Sequence, residues 1–107
     1  MNRHARSLEH ALQILGQEEY RRYIRAIYLY GSCARGNPKY DSDVDLFLQM
    51  EADTPKKLLR QMRLDVMPEE EGLPAVELKV NTGEGFSSSR QFNENIEREG
   101  KLLWERT

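Results

Sequence analysis

Two short apolar runs and the segment between them constrain this chain more than anything else in it. The first run, Ala26-Ile27-Tyr28-Leu29-Tyr30, stops at Gly31-Ser32, and the second, Val44-Asp45-Leu46-Phe47-Leu48, is entered through Ser42-Asp43. Both are rich in β-branched and aromatic residues, which suits strands. A glycine where a strand ends permits a tight turn and, lacking a Cβ, lets backbone approach a ligand closely. Ser32 adds a hydroxyl and an N–H at a turn or helix start, where phosphate oxygens are readily bound. Asp43 and Asp45 are two apart, so on a strand they project together while Val44 and Leu46 point into the opposite layer. Their Cβ atoms then lie ~6.6 Å apart, and the carboxylates repel unless a cation stands between them. Mg²⁺, held at about 2.1 Å by oxygen ligands and completed by water and phosphate, suits such a pair. Spacing alone is equally compatible with two acids on a solvated strand face.

The rest of the chain alternates helices and strands. Leu8, Leu12, Leu15, Tyr20, Tyr23 and Ile24 predict helix from Ser7 to about Arg25, either continuous or broken at Gly16. Asp53-Thr54-Pro55 offers an N-cap and a proline for the first helical position, with helix from Pro55 to about Leu64. Residues 68–74 read as a loop, and Ala75 to Val80 alternate as a third strand. Residues 82–89 read as a Gly/Ser-rich loop, with Ser88 or Ser89 as candidate cap of a last helix expected to run to Glu99 and Gly100 fitting C′. Leu102-Leu103-Trp104 is a short apolar tail that must pack back. This alternation implies an α/β or α+β domain, a small mixed sheet flanked by helices.

At 107 residues the chain reads as one domain, 1–107, able to bury about 65% of its unfolded surface. A net charge of −2, with basic and acidic residues interleaved, argues against general nucleic-acid binding. The lone cysteine, Cys33, fits a reducing cytosol and has no neighbouring His or Asp that would make it a nucleophile. No apolar stretch approaches membrane-spanning length, so a cytoplasmic protein is expected, without a membrane partner. His4 and His10 are read as surface residues.

A third carboxylate sharpens the site. Glu77 faces away from the apolar residues Val76, Leu78 and Val80, together with Lys79. If the third strand neighbours the second, Glu77 joins Asp43 and Asp45 on one sheet face. Three acids are costly together without metal, and favourable around one or two divalent ions ~3.5–4 Å apart. Glu77 would then help bind one ion and accept a proton. Asp65 is the rival for this third position.

Gly31-Ser32, ten intervening residues, and Asp43-Val44-Asp45 resemble the signature of the DNA polymerase β-type nucleotidyltransferase superfamily. The wording Gly-Ser-Cys-Ala-Arg-Gly and Ser-Asp-Val-Asp-Leu is similar to its smallest branch, the minimal nucleotidyltransferases, and the likeness extends to the tail 92–104. The resemblance implies ATP bound through Gly31 and Ser32, with Arg35 and Ser42 beside it, and two Mg²⁺ on Asp43, Asp45 and Glu77. It implies transfer of AMP to a hydroxyl and loss of pyrophosphate. Active members usually carry Asp at the third acid, and a displacement near 1 Å costs on the order of 10²-fold in rate. The likeness also implies that a partner supplies the acceptor: a HEPN-type toxin, with this chain as the antitoxin that adenylylates its tyrosine. Two alternatives stay open, an antitoxin that neutralises by binding alone and a small-molecule transferase similar to aminoglycoside-modifying enzymes.

Overall fold

The computed structural model describes residues 2–83, 96 and 98–107. Among the described residues, helices α1 (Arg3–Leu15), α2 (Glu18–Arg21), α3 (Gly31–Arg35) and α4 (Lys56–Asp65) are interspersed with strands β1 (Ile24–Tyr30), β2 (Val44–Met50), β3 (Val76–Thr82) and β4 (Lys101–Glu105). The strands form one mixed sheet of order β3-β2-β1-β4. β1 is antiparallel to both β2 and β4, and β2 is parallel to β3. The parallel pair needs a crossover, which α4 supplies.

The sheet's two faces differ in chemistry. Ile27, Leu29, Val44, Leu46, Leu48, Val76 and Leu78 pack with Ala11, Leu15, Met62 and Val66 into the main core. Val44, Leu46 and Leu48 are fully buried, as expected of an inner strand covered by helices. The opposite face carries the cross-strand pairs Tyr30/Asp45 and Tyr28/Phe47 and the neighbours Asp45/Glu77 and Phe47/Lys79. One layer is therefore the main core, and the other mixes aromatic with charged side chains.

Several boundaries depart from the sequence reading, each for a local reason. The N-terminal helix starts at Arg3 rather than Ser7, because the Asn2 side chain accepts the Ala5 N–H at 2.7 Å and so satisfies a free helix-end donor. Ser7 is instead a buried interior residue whose hydroxyl donates to the Pro74 carbonyl at 2.7 Å. Of the two readings around Gly16, the broken one holds: α1 closes there and a single turn, α2, follows. Ile24 and Arg25 belong to β1, not to helix. Asp53 does not cap α4. The Thr54 hydroxyl donates back to the Glu51 carbonyl at 2.6 Å, and Pro55, at φ −64°, occupies the N-cap position without a side-chain cap.

The expected Gly/Ser loop and last helix fall largely outside the described residues. Where described, Ile96, Arg98 and Glu99 are helical and Ile96 is buried. Gly100 N–H bonds to the Ile96 carbonyl at 2.9 Å. Its φ is not positive, so the left-handed C′ role is not what this glycine performs. A Cβ there would stand 2.6 Å from the Ile96 oxygen, so close backbone approach demands glycine instead. β4 then docks on β1, with Arg21 stacked 4.0 Å over the Trp104 ring. Among the described residues no helix is long and apolar enough to cross a membrane.

Candidate active site

The site assembles where β1 ends. Tyr30 leads into Gly31, whose φ of 73° lies in the left-handed region that side-chain-bearing residues adopt only under strain. A Cβ built on Gly31 would sit 2.5 Å from Asp45 Oδ2. The Asp45 carboxylate therefore lies over the turn, in space that only glycine leaves open. Ser32 follows in the first turn of α3, half-buried, and the N–H groups of that turn have no helical acceptors of their own. Gly36, at φ 80°, closes the helix, and Asn37 N–H bonds to the Ser32 carbonyl at 3.1 Å.

Asp43 is the last loop residue before β2, and Asp45 is the second residue of the strand. Parallel pairing puts Glu77 of β3 directly beside Asp45. The conditional step in the sequence reading is thus met: β3 neighbours β2, and Glu77 shares Asp45's face. Electrostatics report the same proximity. Burial first, then Glu77, then Asp43 push the Asp45 carboxyl above its ordinary value, while Arg35 opposes them. Burial, Asp45 and Glu77 together push the Tyr30 phenol up to about 12. Burial and Asp45 raise the Cys33 thiol too, which keeps it protonated and leaves it a poor nucleophile.

The remaining predicted residues are placed less uniformly. Arg35 ends α3, exposed, with Nη1 3.4 Å from Glu99 Oε2. Ser42 is engaged inside its own loop: its hydroxyl accepts the Lys39 N–H at 3.0 Å and its carbonyl faces His4 Nε2 at 2.9 Å. Asp65 is not part of this site. It ends α4, where its carboxylate accepts the Tyr20 hydroxyl and, at 2.8 Å, Gln61 Nε2. His4 and His10 are half-buried rather than free surface residues, and His10 Nε2 lies 3.1 Å from the Asp65 carbonyl. Strand alternation puts Tyr30 on the acidic face as well. Only the register, Tyr30 opposite Asp45, reveals it as a wall of the site.

The family described as "Polymerase beta, Nucleotidyltransferase" matches residues 12–107. The chain belongs to the polymerase β-type nucleotidyltransferases. Solved structures agree on the fold of this nucleotidyltransferase domain. A Sulfolobus solfataricus protein proposed to be a nucleotidyltransferase is 18% identical, with TM-score 0.61, over 97% of this chain and 85% of that one. A mutant of the toxin–antitoxin MntA-HpeT is 19% identical, with TM-score 0.64, over 94% and 73%. A toxin–antitoxin solved with AMP-PNP is 18% identical, with TM-score 0.60, over 100% and 76%. No curated protein matches the chain.

The acidic side chains that the sheet register gathers here, Asp45 and Glu77 with Asp43 two residues before Asp45, offer only oxygen donors. That chemistry selects hard cations such as Mg²⁺ over softer metals. Among the described residues no group of three His, Cys, Asp or Glu side chains is close enough to hold a single ion. An open carboxylate pair that leaves coordination positions to phosphate oxygens is what Mg²⁺ commonly accepts.

Proposed function

We propose that this chain transfers AMP from Mg²⁺-bound ATP to a hydroxyl, and that the acceptor is a tyrosine of a HEPN-type toxin for which the chain is the antitoxin. The observation that carries the reading is Asp45 itself, packed over Gly31 on one side and flanked by Glu77 on the other. Gly31 and Ser32 present backbone donors and a hydroxyl to phosphate oxygens, and Arg35 offsets their charge with a planar guanidinium. Asp43 and Asp45 would hold the cations. Glu77 shares that task and takes the proton from the attacking hydroxyl. When bound, Mg²⁺ would draw charge from the triphosphate and favour the attacking oxygen's ionised form. Ser42 contributes through the loop it closes. The toxin assignment is supported by the fold shared with toxin–antitoxin proteins, one of them solved with AMP-PNP.

The test mixes the chain with the protein encoded beside it, α-labelled ATP and Mg²⁺. Label on that protein, abolished by Asp43→Asn or Asp45→Asn, is the expected result. No label, with undiminished neutralisation by both variants, sinks the catalytic reading and supports neutralisation by binding. The glutamate at position 77 is the residue that favours this second reading, since its longer side chain alters carboxylate placement. Label on a small molecule instead of the protein would overturn the choice of acceptor.

A further inference from the structure

Asp43 stands at the end of an eight-residue loop, 36–43, between α3 and β2. The loop's own hydrogen bonds are few. Ser42 N–H reaches the Lys39 carbonyl at 3.0 Å, and Lys39 N–H reaches Ser42 Oγ at 3.0 Å. A turn of this kind leaves its last residue to be ordered against backbone entropy by something else.

Past Asp43, Val44 N–H bonds to the Ala75 carbonyl at 2.8 Å; before it, the start of α1 reaches the loop. His4 Nε2 lies 2.9 Å from the Ser42 carbonyl; a carbonyl only accepts, so this nitrogen is the protonated one and donates. Arg3 Nη1 donates to the Tyr40 carbonyl at 3.0 Å, and its guanidinium lies 3.8 Å over the Tyr40 ring. Arg3 Nη2 donates to the Gly72 carbonyl. α1 is itself immobilised by buried Ala11 and Leu15 and by the bond from Ser7 to Pro74. From the other side, the Cys33 thiol stands 3.7 Å from the Asp43 carbonyl. The peptide that carries Asp43 is thus gripped between a packed helix and the turn after Gly31.

We propose that His4, supported by Arg3, is a positioning residue for Asp43: from the start of α1 it holds the Ser42–Asp43 peptide so that the Asp43 carboxylate meets Asp45. This rests on the reading of Asp43 and Asp45 as the cation-holding pair. His4 acts through the peptide, not on substrate.

The test is Mn²⁺ affinity in the presence of a non-hydrolysable ATP analogue, read by electron paramagnetic resonance, with thermal unfolding of each variant alongside. His4→Ala is expected to weaken Mn²⁺ binding about tenfold, the upper end for one lost part-buried hydrogen bond. His4→Gln, whose amide places a donor near the position of Nε2, is expected to recover most of that loss. Arg6→Ala, on the same helix, breaks an ion pair to Glu70 away from the loop and should leave affinity unchanged. Equal losses in Arg6→Ala and His4→Ala would reduce the effect to general loosening of α1 and overturn the proposal. Wild-type binding that depends on Asp45, with unchanged affinity in His4→Ala, overturns it too and leaves the functional reading standing. Wild-type protein that binds no Mn²⁺ overturns the functional reading itself. Should His4→Ala fail to fold, Arg3→Ala carries the same expectation at about threefold, and unchanged affinity there is again a refutation.

Discussion

Alanine at position 31 should cost more than alanine at position 36, and the excess should vanish when Asp45 is removed. Both glycines have positive φ, 73° and 80°. Around Gly36 an added Cβ meets nothing within 4 Å, whereas at Gly31 it meets Asp45 Oδ2 at 2.5 Å. Gly36→Ala therefore carries only left-handed strain, about 1–2 kcal/mol. Gly31→Ala carries the same strain and must also turn the Asp45 carboxylate out of its place. Driving a half-buried side chain off its rotamer adds about 0.5–1.5 kcal/mol, for a total of about 1.5–3.5 kcal/mol. In an Asp45→Ala background the second contribution has no source, so Gly31→Ala should fall to the cost of Gly36→Ala. Urea unfolding of the two single variants, Asp45→Ala and both doubles closes the cycle. A coupling of about 1 kcal/mol between positions 31 and 45 is well above the usual error of additivity, about 0.3–0.5 kcal/mol. Equal destabilisation by Gly31→Ala and Gly36→Ala in the wild-type background would refute the claim that Asp45 occupies the space above the turn.

Asp45→Asn should change how stability depends on pH. The folded Asp45 carboxyl is raised, first by burial and then by Glu77 and Asp43, so the unfolded state releases this proton at lower pH than the folded one. Wild type then loses stability as pH rises from the ordinary aspartate range through the raised value. The asparagine variant should be the more stable protein at pH 7, with the advantage shrinking on acidification; an advantage that grows as pH falls would show the sign to be wrong. Tyr20→Phe removes the hydroxyl that Asp65 accepts at the junction of α2 and α4 and should lower stability by about 1–2 kcal/mol. Asp65 keeps its bond from Gln61 at 2.8 Å, so a loss far above that range in denaturant unfolding would mean that the ring itself had repacked.

The parts legible in sequence were those whose physics is local. Gly31 ending an apolar run, the alternation of residues 76–80 and the leucines of α1 each imply their element without reference to a distant partner. The misreadings share the opposite character. Ser7 reads as the first residue of the helical pattern, yet it lies inside α1, buried, and its hydroxyl bonds the carbonyl of Pro74, sixty-seven residues away. Asp53-Thr54-Pro55 reads as a capped helix start, but Thr54 is buried and turned back on Glu51, and Pro55 takes the N-cap position without a side-chain bond. The site divides in the same way. Gly31 and the two aspartates announce themselves, while the parallel register that brings Glu77 to Asp45, and the reach of His4 to Ser42, depend on tertiary packing. Tyr30 needed only its strand partner to be known.

β4 has a consequence for how the chain is made. It is the last of the described strands to be synthesised, yet it pairs with β1, the first. While the polypeptide grows, β1 can already meet β2, but its other edge, Ala26 to Leu29, waits for residues 101–105 to emerge. Until then a row of unpaired amides lies beside Ile27 and Leu29, the arrangement that recruits foreign strands. Arg106 then clips the late strand in place, donating to the Glu51 carboxylate at 2.8 Å and to the Arg22 carbonyl at 2.6 Å. A ribosome stalled before residue 101 should therefore carry a nascent chain prone to sticking to its neighbours.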